Sequence, residues 1–188
     1  MRASIGFFAA TALLVSGVTF ADEPSWYGGV SLGYTELSAG DEFAGASFKD
    51  TALGVGLLAG YQQSKYIAWE GELQTSGVAK ESVVVGGAPL DLEAKYETWA
   101  IGIVAMYPFA DRFTVFGRFL PMYGRYTLES SSEKQTVREG GYTVGAGAAA
   151  QFGALNLRLR YDLQRVNFEN DQSIENPERI GLDALFRF

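Results

Sequence analysis

Arg179-Ile180-Gly181-Leu182-Asp183-Ala184-Leu185-Phe186-Arg187-Phe188 alternates apolar residues with polar or small ones up to a final aromatic. At the two-residue period of a strand, Ile180, Leu182, Ala184, Phe186 and Phe188 share one face, and Arg179, Gly181, Asp183, Leu185 and Arg187 share the other. One side of this strand is therefore hydrocarbon and the other carries charge. A soluble sandwich would bury the hydrocarbon against a second sheet, whereas a membrane barrel turns it to lipid and encloses the polar face.

The opposite end of the chain bears on that choice. Arg2 gives a positive start, residues 5–18 are mostly apolar, and Thr19-Phe20-Ala21 is a small-x-small cleavage site, so residues 1–21 are expected to be an export signal and 22–188 the mature domain. Beyond Ala21 no stretch approaches the roughly 18 apolar residues of a membrane helix. Without the signal the chain has 167 residues, 14 of them basic and 22 acidic, a net charge of −8 that disfavours nucleic acid as a partner. Cysteine and histidine are both absent. No disulfide can form, and the imidazole on which most hydrolytic nucleophiles and zinc sites depend is missing. No catalytic residue, cofactor or metal is expected.

Seven further segments share the alternation. They fall near residues 26–37, 51–62, 66–75, 93–107, 113–128, 141–152 and 155–164, and Leu155, Leu157, Leu159, Tyr161 and Leu163 opposite Asn156, Arg158, Arg160, Asp162 and Gln164 form the cleanest case. Short turns (63–65, 108–112, 153–154) alternate with longer polar connections (38–50, 76–92, 129–139, 169–177). One rim therefore carries only tight turns, as in membrane barrels with an even strand number. Trp26, Tyr27, Tyr61, Tyr66, Tyr107, Phe109, Phe113, Phe152, Phe186 and Phe188 fall at that rim, and Tyr34, Trp99, Tyr123, Tyr142 and Tyr161 nearer the other, as interfacial girdles require. The expected fold is all-β, an eight-stranded antiparallel up-and-down transmembrane barrel.

In this pattern the chain resembles the small eight-stranded outer-membrane barrels of Gram-negative bacteria, the group of the OmpA membrane domain, OmpX/Ail and the opacity-type surface antigens. Its C-terminus, with Gly181, Phe186 and Phe188, is similar to the signal read by the barrel-assembly machinery. The resemblance implies an outer-membrane location and a structural or surface-interaction role. It further implies contact with outer-membrane lipid and lipopolysaccharide, periplasmic chaperones during biogenesis, and outer loops facing a host or surface ligand. The competing reading is a narrow porin-like channel or a transport barrel for small molecules. A soluble ligand-binding barrel would instead need Trp69, Ile101, Leu157 and Leu159 to point inward.

The candidate site is the set of inward charges Glu70, Glu72, Arg118, Arg158, Arg160, Asp162, Asp183 and Arg187. So small a barrel has room inside for little beyond its own side chains, so these charges are expected to fill the lumen as an ion-paired layer. Glycines and alanines at 54–60 and 145–150 leave space for them. Glu70 and Glu72, about 6.6 Å apart along one strand, are also spaced like a glycosidase pair, but no sugar cleft accompanies them. Gly145-Ala-Gly147 imitates a dinucleotide fingerprint without the helix that fingerprint needs.

Overall fold

In the computed structural model the described residues are 24–39, 48–85, 88–130, 134–166 and 176–188. They form nine strands: β1 (Ser25–Ala39), β2 (Phe48–Gln62), β3 (Ile67–Ser76), β4 (Ala79–Val85), β5 (Ala88–Ala110), β6 (Phe113–Ser130), β7 (Lys134–Phe152), β8 (Leu155–Val166) and β9 (Glu178–Arg187). All pair antiparallel with their neighbours, β9 with β1, and β5 pairs with both β3 and β4. The two short strands are thus one stave interrupted at Gly77-Val78, and the molecule is a closed eight-stranded barrel. Residues 1–21 lie outside the described part of the chain.

Closure has a measurable stagger. From Ser31 the cross-strand register reaches β5 at Thr98 in one direction and at Pro108 in the other, an offset of ten residues. With eight staves this tilts the strands by about 40° to the barrel axis. The tight-turn rim is formed by Gln63–Tyr66, Asp111-Arg112 and Gly153-Ala154. Gly153 takes a left-handed φ of 61°, which only glycine adopts without steric cost.

The alternation sorts the side chains as a membrane wall demands. Val30, Leu32, Leu57, Leu73, Phe119, Leu159 and Leu182 point outward, as do Trp69, Ile101 and Leu157, which rules out the soluble barrel with an apolar interior. Aromatic pairs mark both edges of this band: Trp26 with Tyr61, 5.0 Å between ring centroids, below, and Trp99 with Tyr123, 5.7 Å, above. Tyr27 departs from the expected girdle. It faces inward and is buried, because on β1 it has the opposite parity to Trp26.

Two expected loops are largely strand. Within 76–92, β4 and the start of β5 form a hairpin with register Ala79↔Ala94 to Val85↔Ala88, and within 129–139 the β6–β7 ladder continues to Glu129↔Lys134. Only residues 86–87 and 131–133 of these connections lie outside the described chain. Above the membrane β4, β5, β6 and β7 thus make a four-stranded ribbon facing the shorter β1–β2 ribbon. No ladder joins β2 to β4 there; Asp50 spans the seam instead, accepting hydrogen bonds from the backbone N–H of Thr51 (2.7 Å) and Lys80 (3.1 Å).

Candidate functional site

The lumen is layered. Toward the outer end the inward side chains are apolar: Leu37, Leu92, Tyr96, Leu120, Tyr126 and Leu128 pack in one buried cluster across both ribbons. Toward the tight-turn rim a second cluster contains Tyr27, Leu58, Val104, Phe116 and Leu185. The expectation was of an ion-paired polar core filling the lumen; the apolar clusters occupy both of its ends and keep water from the charges between them, which strengthens their mutual attraction.

Between the two clusters lies the charged layer. Arg118, from β6, contacts Glu70 at 3.1 Å, Asp162 at 3.2 Å and also Glu72. On β8, Arg158 reaches Glu70 at 2.5 Å, while Arg160 donates to both oxygens of Glu72 and meets Asp162 at 3.2 Å and Asp183 at 3.1 Å. Ser31 of β1 accepts hydrogen bonds from Arg160 (3.1 Å) and from Arg179 (2.9 Å). Tyr27 donates to Glu70 at 2.8 Å, and the Arg158 guanidinium lies 5.1 Å from the Tyr27 ring centroid and 5.3 Å from that of Phe116. All four carboxylates and all the arginines they meet are buried.

Seven of the eight residues singled out from the sequence, Glu70, Glu72, Arg118, Arg158, Arg160, Asp162 and Asp183, come together in this layer. Arg187 does not. It occupies the last inward position of β9, separated from Asp183 by buried Leu185, and hydrogen-bonds to Gln62 near the tight-turn rim. The eighth member is Arg179, which the sequence reading left out of the set; it contacts Glu72 at 3.1 Å. In the β8–β9 register Arg179 stands opposite Asp162, and the ten-residue stagger of the barrel brings it across the lumen to Glu72, which height counted along an untilted strand does not show. With this exchange the layer holds four arginines against four carboxylates.

Small residues make the layer possible. A Cβ on Gly145 would stand 2.0 Å from an Asp162 oxygen and 3.1 Å from Cγ of Arg118, and one on Gly33 would stand 2.7 Å from Nε of Arg179. Other glycines serve the apolar clusters instead: Gly60 accommodates the Tyr27 ring, Gly147 that of Phe116 and Gly124 that of Tyr96. Gly54 faces backbone of β3 and not a charged side chain. Glu70 and Glu72, enclosed by arginines and inaccessible to solvent, present no free carboxylate to a substrate.

The sequence profile of the outer membrane protein beta-barrel domain matches residues 6–188. The chain belongs to that family. Solved barrels similar to this family member include Ail, the attachment invasion locus protein of Yersinia pestis, at 14% identity, covering 87% of this chain and 99% of that one with a TM-score of 0.55. Neisserial surface protein A matches at 12% identity, 88% and 97% coverage and a TM-score of 0.55. OprG of Pseudomonas aeruginosa matches at 11% identity, 92% and 99% coverage and a TM-score of 0.61. At such identities the likeness establishes the fold. Among curated proteins no sequence matches this chain. As a member of the family the protein resides in the bacterial outer membrane, with its tight-turn rim toward the periplasm and its ribbons outside.

Proposed function

We propose that this barrel is a closed, non-enzymatic outer-membrane scaffold whose work is done at its outer surface, in envelope integrity or attachment. The observation that carries this reading is the lumen: a charge-balanced ion-paired layer sealed above and below by apolar clusters. Such a layer holds its own side chains in place and closes the path to ions, since each charge has an oppositely charged neighbour that a passing ion would have to displace. The four-stranded ribbon then has the geometry of a rigid platform for recognition above the bilayer. Ail, a structural neighbour, has been crystallised with the heparin analogue sucrose octasulfate, which fits an attachment role for barrels of this shape. Export by residues 1–21, chaperone escort and recognition of Gly181, Phe186 and Phe188 by the assembly machinery belong to the same reading.

Planar bilayers containing the purified protein test the proposal. The unmodified barrel is expected to show no steady conductance, and Arg160→Ala is expected to open a leak while weakening the fold. Stable ion-selective openings in the unmodified protein would replace the scaffold with the channel reading.

A further inference from the structure

On the outer wall, the β6–β7 register sets Arg125 directly opposite Arg138, both pointing away from the barrel. Like charges in that cross-strand relation repel each other. Nearby compensation is thin: Arg125 reaches Glu97 at 3.3 Å, but Glu97 is already held by Lys95 at 2.7 Å, and Arg138 has no ion pair among the described residues. Lys95 and Arg125 thus share one carboxylate and Arg138 has none among the described residues, on a chain whose net charge is strongly negative.

Directly below lies an aromatic ledge. Tyr123 pairs with Trp99 and Tyr142 with Phe119, each at 5.7 Å between ring centroids, along the upper edge of the lipid-facing band. Between arginines and ledge is Gly140, opposite Tyr123 in the register, and a Cβ built there would meet no atom within 4 Å. The wall therefore has an open notch, cationic above and aromatic below, at the level where headgroups meet acyl chains. On the same wall, a cleft of about 340 Å³ extends the space upward past Arg125 and Arg138; its acidic residues Glu93, Glu97 and Glu129 are already paired with Lys80, Lys95 and Lys134.

We propose that this notch is a binding site for a phosphate-bearing headgroup of an outer-leaflet lipid, with Arg125 and Arg138 clasping the phosphate and the acyl chains descending over Tyr123 and Tyr142. A bridging phosphate turns the repulsion between the arginines into two charge-assisted contacts. A lipid is favoured over a soluble anion because the arginines stand directly over the ledge, where tyrosine and tryptophan settle at the bilayer interface. The site depends on the orientation of the barrel and not on its closed lumen, so either proposal can fail alone.

The full chain, refolded in detergent, would be incubated with lipid A bearing both phosphates or with its dephosphorylated form, and retained lipid read by native mass spectrometry. The phosphorylated lipid is expected to be retained about thirtyfold more, the scale set by two interfacial cations at about 1 kcal/mol each. Arg125→Gln with Arg138→Gln should abolish the preference, and Lys49→Gln, at another face, should leave it intact. Gly140→Val, which adds methyl groups to open space, should also reduce retention while the heat-modifiable fold persists. Equal retention of the two lipids, an unchanged preference in the double variant, or loss of bound lipid to millimolar inorganic phosphate would each overturn the lipid site.

Discussion

Arg160 meets three different carboxylates, Glu72, Asp162 and Asp183; its truncation takes from Asp183 its one ion pair among the described residues and leaves the dry layer one positive charge short, while Glu72 and Asp162 keep Arg118. Arg160→Ala is expected to cost about 3–5 kcal/mol in folding titrations into lipid vesicles. Arg187→Ala, by contrast, breaks a hydrogen bond to Gln62 and leaves no carboxylate behind, so about 0.5–1.5 kcal/mol is expected in the same titration. Similar losses for the two variants would show that the layer does not act as drawn. Gly145→Val tests the space rather than the charge: its side chain would collide with Asp162, and reduced folding yield is the expected outcome.

Along single strands the alternation carries most of the information, and depth decides what a substitution does. Leu159 lies in the middle of the outward band of β8, where an arginine is expected to cost about 2–4 kcal/mol, whereas at Leu163, near the upper rim beside Glu178, about 0–1 kcal/mol is expected. Equal costs in vesicle folding titrations would contradict this placement of the membrane. The same alternation made inside and outside legible from residues alone, even on β6, where Phe116 turns in and Phe119 turns out. Strand ends were not legible, because beyond the bilayer an outward face need not be apolar. In β7 the run Lys134 to Glu139 alternates one polar residue with another, apart from Val137, and so looks like a loop. Nor could period two reveal Arg179 as a partner of Glu72, since that neighbourhood depends on the stagger between strands and not on any one strand.

At the scale of the whole barrel, closure rests on the β1–β9 ladder from Tyr27↔Arg187 to Glu36↔Glu178. Phe188 adds a backbone hydrogen bond to Trp26, 3.0 Å, yet its ring is 80% exposed. A ring with so few protein contacts stabilises the finished barrel chiefly through the bilayer interface, and its larger role is expected in recognition during assembly. Phe188→Ser is therefore expected to lower the heat-modifiable, protease-resistant protein in outer membranes while leaving in vitro folding nearly unchanged; equal effects in both settings would assign Phe188 to stability instead. The balance of the buried layer has an electrical consequence. Four positive and four negative charges fixed at one depth sum to zero, so a voltage across the membrane performs no net work on the layer as a unit. Each uncompensated elementary charge would couple by about 2.3 kcal/mol per 100 mV. Removing one arginine leaves the layer with a single negative charge, and the leak through Arg160→Ala should for that reason favour cations and vary with voltage, while the unmodified layer remains indifferent to the sign of the potential.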